Sequence, residues 1–108
     1  ALMARDINAV KKVARVSEEE EKEMMSYIRP ITVLKKRDAD SFFAVAPMLD
    51  TIGIMLPYAP LHYILFRFLK ADFIILTSAN MPGEPMYIDD GIFNLPVDAV
   101  LRHNLRIA

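Results

Sequence analysis

Three runs decide the fold class: Ile52-Gly53-Ile54-Met55-Leu56, then Pro60-Leu61-His62-Tyr63-Ile64-Leu65-Phe66-Arg67-Phe68-Leu69, then Phe73-Ile74-Ile75-Leu76-Thr77. The first and third are short and apolar and read as buried strands. Pro57 ends the first. Pro60 suits the first turn of a helix, where its missing N–H has no intrahelical partner to lose. Leu61, Ile64, Leu65, Phe68 and Leu69 then recur at helical spacing and predict one buried face. Lys70 suits the negative end of the helix dipole. Strand 52–56, helix 60–70 and strand 73–77 therefore predict a parallel, right-handed βαβ unit, and with it an α/β protein. Ligands of such sheets sit outside the carboxyl ends of the strands.

The N-terminal third carries helix signals. Asp6 is placed to cap a helix whose face is Ile7, Val10, Val13 and Ala14. Ser17-x-x-Glu20 has capping-box spacing, and Glu18 to Glu21 set negative charge at the positive end of a second helix. That acidic run reads as a solvated first turn rather than a metal site. Met24, Met25 and Ile28 are the expected buried side, and Pro30 stops the helix near Tyr27 to Arg29. Ile31-Thr32-Val33-Leu34 predicts a strand running into Lys35, Lys36 and Arg37. Asp38 to Ser41 is a loop. Phe42 to Asp50 is ambiguous, with Pro47 against a central strand. Gly53 marks a close approach by another backbone or a ligand. Beyond Thr77, Asp89, Asp90 and Gly91 suggest a turn, and Ala99-Val100-Leu101-Arg102-His103 a last strand. No repeat occurs, and nothing suggests a second domain.

Composition narrows the classes. The chain has 108 residues, 54% hydrophobic and 25% charged, which suits one small folded domain rather than disorder. A net charge of −1 disfavours an RNA-binding module, which needs a basic stripe. There is no cysteine, so disulfide frameworks and cysteine zinc sites are excluded. His62 and His103 have no second ligand at metal spacing. No signal peptide, P-loop, GxGxxG or GxSxG pattern is present. The chain starts at Ala1 rather than Met, which suggests a processed product or a piece of something longer.

The chemistry concentrates in Thr77-Ser78-Ala79-Asn80-Met81-Pro82-Gly83-Glu84-Pro85, a small polar loop after a buried strand. Two hydroxyls and an amide can orient a phosphate, a ribose hydroxyl or a carbonyl group, and Gly83 permits close backbone approach. The plainer alternative is a turn whose Ser and Asn bond within the loop. No Lys or Arg occurs from Thr77 to Leu101, while Glu84, Asp89, Asp90 and Asp98 are acidic. A triphosphate would need cations from another segment, from Mg²⁺, or both. Lys35, Lys36, Arg37 and Arg67 are the internal candidates. Pro57-Tyr58-Ala59-Pro60-Leu61-His62 follows the other strand of the βαβ unit, so parallel pairing would set it at the same sheet edge. Tyr58 can stack on a base, and His62 can donate to a phosphate. Alternatively Tyr58 packs and His62 caps the turn.

Three stretches resemble one family: Val45-Ala46-Pro47-x-Leu49-Asp50-Thr51-x-Gly53, then Met55-Leu56-Pro57-Tyr58-x-Pro60-Leu61-His62, then Thr77-Ser78-Ala79-Asn80-x-x-Gly83-Glu84-Pro85. In this order they resemble the YrdC-like domain of HypF-type hydrogenase maturation carbamoyltransferases. The resemblance implies a twisted open sheet, mixed or parallel, with flanking helices, in a cytoplasmic protein. It implies ATP, with Mg²⁺, and carbamate or carbamoyl phosphate as reactants, activated as carbamoyl-adenylate. A transferase domain then passes the carbamoyl group to a HypE-type acceptor protein. By the same resemblance Ser78 and Asn80 contact the nucleotide or acyl-adenylate, with Thr77, Pro57, Tyr58 and His62 as further contacts. No catalytic residue and no metal ligand is assigned. A threonylcarbamoyl-adenylate synthase of tRNA modification shares the Ser-x-Asn motif and is the second reading. The Pro57 to His62 stretch argues for the first.

The family's Lys-x-Arg motif would precede the segment matching Ala1-Leu2-Met3, and its His-Asn-Arg segment would follow the His103-Asn104 region. The expectation is thus a partial YrdC-like domain over 1–108, with the missing cations outside it. Weak or no catalysis is expected of it alone. Apolar surface left uncovered would favour self-association.

Overall fold

The computed structural model describes residues 1–42, 44–86 and 95–101. The chain forms two compact units, Ala1–Leu76 and Thr77–Ala108. Among the described residues the regular elements lie in the first: β1 (Leu2–Ala4), α1 (Ile7–Val13), β2 (Ala14–Arg15), α2 (Glu18–Met24), β3 (Thr32–Lys36), β4 (Thr51–Met55), α3 (Pro60–Phe68) and β5 (Phe73–Ile75).

Both expected N-caps form. Asp6 Oδ1 accepts the Ala9 amide at 2.9 Å. Ser17 and Glu20 close a capping box: Ser17 Oγ accepts from the Glu20 amide at 3.2 Å, and Glu20 Oε2 from the Ser17 amide at 2.8 Å. Both bonds join residues three apart, so the local sequence suffices to specify them. Ser17→Ala should cost about 1 kcal/mol. Urea denaturation with an unchanged midpoint would show that this short helix is held by packing alone. α2 stops at Met24, earlier than the pattern suggested. Met24 is fully buried, but Met25 and Ile28 are exposed, which corrects their placement in the core.

The sheet order is β2-β3-β4-β1-β5. β1 and β4 are parallel, and the other neighbours, β2 with β3, β3 with β4 and β1 with β5, are antiparallel. The sheet is mixed, with helices on both faces. Residues alternate along the strands. Leu2, Ala4, Ile52, Ile54 and Leu34 join Val10 and Met24 in one core cluster, beneath α1 and α2. Met3 and Met55 face the other way and pack with Phe66 of α3. Gly53 lies between these layers in β4, and a Cβ there would meet Ile31 Cγ2 at 3.2 Å. Its close neighbour is a side chain, not a backbone.

The parallel βαβ unit does not form. β5 follows α3 but pairs antiparallel with β1, and β1 lies between β4 and β5. The reason is where α3 ends. The helix begins just past the carboxyl end of β4. Its last turn is tied to Arg5, which lies just past the carboxyl end of the parallel strand β1. Nine residues span only about 13 Å. The chain therefore remains at one edge of the sheet, and the next strand can only run back. β5 ends at the opposite edge, where the Leu76 amide donates to Ala1 O at 3.0 Å.

Two further expectations change. The α3 stripe is not buried: Leu61, Ile64, Leu65, Phe68 and Leu69 are all exposed, and Phe66, off the stripe, is the buried residue at 4%. The strand does not run into Arg37, because β3 ends at Lys36. Lys36 itself is buried, and its Nζ donates to Ala46 O at 2.9 Å. Arg37 leaves the strand, and its Nε donates to Lys11 O at 2.7 Å. The described residues 42 and 44–50 carry turns and bends rather than a strand, with Phe42 and Met48 at positive φ. Ala99 to Leu101 carry no strand. Arg102 and His103, and the Asp89-Asp90-Gly91 turn, lie outside the described residues.

Candidate functional site

The Thr77–Asn80 loop belongs to the second unit. It has no helix or strand, and Thr77 and Ser78 are exposed. Ser78 Oγ donates to Asn80 Oδ1, and Asn80 Nδ2 donates to Met81 O at 3.0 Å. The loop thus orders its own side chains. The Glu84 amide donates to Met81 O at 3.0 Å, and Gly83 sits at φ 82, where a side chain would be strained. A hydroxyl and an amide held together on an exposed turn can still offer their remaining donors and lone pairs to a ligand.

The Pro57–His62 turn belongs to the first unit. His62 Nδ1 accepts from the Ala59 amide at 3.3 Å and the Tyr58 amide at 3.4 Å. It therefore supplies the return half of a capping box at the start of α3, serving the N-cap amide of Ala59 and the amide before it. With Nδ1 accepting, the neutral ring carries its proton on Nε2, which remains a donor. The Tyr58 ring meets the His62 ring edge-on, with centroids 4.5 Å apart. Tyr58 is exposed, Pro57 is buried, and Tyr63 Oη donates to Pro57 O at 3.1 Å. Both readings of His62 are thus compatible: the cap uses one nitrogen and leaves the other.

Parallel pairing was the premise that set these two loops at one sheet edge, and it fails. The turn follows β4 at the carboxyl edge of the parallel pair, whereas β5 finishes at the other edge. Each loop is a candidate by itself.

Another feature of that carboxyl edge went unread in the sequence. β1 leads into α1, which packs on one face of the sheet, and β4 leads into α3, whose Phe66 packs on the other. Adjacent parallel strands whose connections part to opposite faces form a topological switch point, where open sheets open a crevice. Arg5 stands there. Its guanidinium donates to Phe66 O, to Leu69 O at 2.6 Å and to Ala71 O at 3.0 Å, and pairs with Asp72 at 3.2 Å. The signal was present as an Arg directly after Leu2-Met3-Ala4, but three residues are too few to read as the strand they form. Among the described residues, no group of three or more His, Cys, Asp or Glu converges to hold a metal ion. No helix among them is long and apolar enough to cross a membrane.

Comparison with known proteins decides the family. A model for the Sua5/YciO/YrdC family, described as telomere recombination, matches residues 1–108. The chain belongs to this family. It is similar to the probable carbamoyltransferase HypF of Methanocaldococcus jannaschii, at 46% identity over 87% of this chain and 13% of that protein. It is also similar to carbamoyltransferase HypF of Rhizobium leguminosarum, at 38% identity over 83% of this chain and 13% of that protein. Among solved structures, T. kodakarensis HypF matches with a TM-score of 0.77 and 51% identity, over 84% of this chain and 12% of that one. A full-length HypF in its phosphate- and nucleotide-bound form also matches at 0.77, with 43% identity over 84% of this chain and 14% of that one. The chain thus spans a small part of the relatives it matches. The expected YrdC-like, open mixed sheet is the fold observed.

Proposed function

We propose that this Sua5/YciO/YrdC-family chain acts as the carbamoyl-activating part of a HypF-type carbamoyltransferase, forming carbamoyl-adenylate from ATP and carbamate. The observation that carries this reading is its 46% identity to a HypF over 87% of the chain. The remaining HypF domains would complete the enzyme, a HypE-type protein would accept the carbamoyl group, and the setting would be cytoplasmic. The phosphate- and nucleotide-bound relative supports a nucleotide as ligand.

In the second unit, Ser78 and Asn80 are assigned to the nucleotide or acyl-adenylate, with Thr77 beside them. In the first, Pro57, Tyr58 and the Nε2 donor of His62 are nucleotide-contact candidates in their own right. Bound ATP would give its adenylyl group to a carbamate oxygen as pyrophosphate leaves the α-phosphorus, and AMP would then be the leaving group that makes the carbamoyl carbon reactive. Mg²⁺ suits the nucleotide phosphates and water better than a protein cage, since no carboxylate cluster converges among the described residues. The segment from Thr77 to Leu101 carries no Lys or Arg, so the role of this loop is to orient rather than to neutralise charge.

Titration calorimetry with ATP tests the assignment. Ser78→Ala and Asn80→Ala should each weaken binding about five- to tenfold, the worth of one hydrogen bond to a polar ligand. Unchanged affinity in both would sink the loop assignment. Catalysis is tested by grafting these residues in place of the matching segment of the M. jannaschii relative. Carbamoyl transfer should persist, and a folded chimera that binds ATP but has lost transfer would refute the proposed function.

A further inference from the structure

A cavity of about 180 Å³ opens at the switch point between β1 and β4. Its walls are largely apolar, built from Ile7, Met25, Leu56 and Pro57. The Tyr63 side chain also lines it, with its hydroxyl already spent on Pro57 O. Three charged residues line it: Arg5, Asp6 and Arg29.

Two of those charges are committed. The Arg5 guanidinium is divided among three carbonyls and Asp72. Asp6 Oδ1 holds the amide of Ala9 at the start of α1. Arg29 differs. Among the described residues its one side-chain hydrogen bond runs from Nη1 to Met24 O at 3.5 Å, the outer limit of such a bond. Neither ion pair formed among the described residues involves it. Its backbone sits at φ 48 directly before Pro30, a conformation that a non-glycine residue rarely adopts. Arg29 thus lines an apolar crevice, with most of its guanidinium donors unspent among the described residues.

We propose that this cavity binds a small organic carboxylate, with the Arg29 guanidinium as its cation. Size favours a small ligand over an enclosed nucleotide, because pockets for drug-sized ligands run to roughly 300 Å³ or more. Charge selects a monoanion. One uncommitted cation balances one carboxylate, while a phosphate dianion would face a carboxylate, Asp6, and too few donors for its oxygens. Geometry selects a planar group, since the guanidinium fork matches two carboxylate oxygens. The apolar walls suit a short alkyl group behind it. The site lies wholly in the first unit and uses none of Thr77 to Asn80, so it stands or falls apart from the assignment of that loop, and it shares only Pro57 with the nucleotide-contact candidates of the first unit.

Propionate is the probe. ¹⁵N-labelled protein titrated with sodium propionate at constant ionic strength should show saturable shifts of the Arg29 Nε–H and of the Ile7 and Leu56 amides. Arg29→Gln should abolish saturation. Arg29→Lys keeps the charge, loses the fork and should bind about tenfold more weakly. Amide shifts outside the cavity report whether each variant is folded, and Arg29→Lys decides the matter if Arg29→Gln is not. 1-Propanol should produce no saturable shift. Absence of saturation by propionate, equal saturation in either folded variant, saturation by 1-propanol, or phosphate binding as tight as propionate would each overturn the proposal.

Discussion

Replacing Arg5 by Met should destabilise the protein by about 2–4 kcal/mol, more than any other exchange of a charged residue in the chain. The carbonyls of a helix's last turn have no intrahelical donors, and Arg5 supplies them to Phe66 O, Leu69 O and Ala71 O. A cation there also opposes the negative end of the dipole. Its carbon Cζ lies 5.2 Å from the Phe66 ring centroid, so its flat face packs as well. The Asp72 pair adds less, because both partners are partly exposed at 30% and 45%. Methionine keeps the bulk and removes every donor. Lysine keeps the charge but cannot reach three carbonyls in a fixed fork, so Arg5→Lys should recover only part of the loss. Urea denaturation measures all three proteins. A loss below about 0.5 kcal/mol for Arg5→Met would mean that water serves these carbonyls equally well.

Ile54→Ala and Ile64→Ala should part widely, although both residues lie in strongly apolar runs. Ile54 is 0% exposed in β4, the central strand, and truncation there should cost about 2–5 kcal/mol. Ile64 is 50% exposed on α3, and its truncation should cost less than about 1 kcal/mol. Denaturation midpoints of the two variants test this directly. Equal losses would show that the α3 stripe is covered in solution, as by self-association, and dilution of the sample would then separate the two midpoints.

The opening stretch shows how far sequence reading reaches here. Strand 52–56, helix 60–70 and strand 73–77 all exist, within a few residues of their expected ends. What failed was their arrangement. Direction and order in the sheet depend on the Arg5 bonds to the Phe66–Asp72 segment, more than sixty residues away. No local pattern carries that information. β1 was missed for the same reason. Leu2-Met3-Ala4 is too short to announce itself, yet its position between two partner strands buries all three residues. The helical stripe of α3 had the right spacing but the wrong inference: periodicity reports an apolar face, not what covers it. Within the candidate site, the Ser78 and Asn80 loop was legible as a polar turn after a strand. The charge inventory at the carboxyl edge was not, because Arg5, Asp6 and Arg29 are brought together only by the parallel pairing of β1 with β4 and the turn after α2.

The sequence by itself determined what neighbours a few residues apart decide. Those are the Asp6 and Ser17 caps, the helix and strand types, the polar Thr77 to Asn80 turn and the motifs that mark the Sua5/YciO/YrdC family. Only the tertiary structure decided the run of β5, the place of β1 between β4 and β5, the open face of α3 and the spare charge of Arg29. The physical reason is range. Caps and turns close over three or four residues, whereas strand order and charge pairing are settled by whichever distant groups satisfy each other's hydrogen bonds.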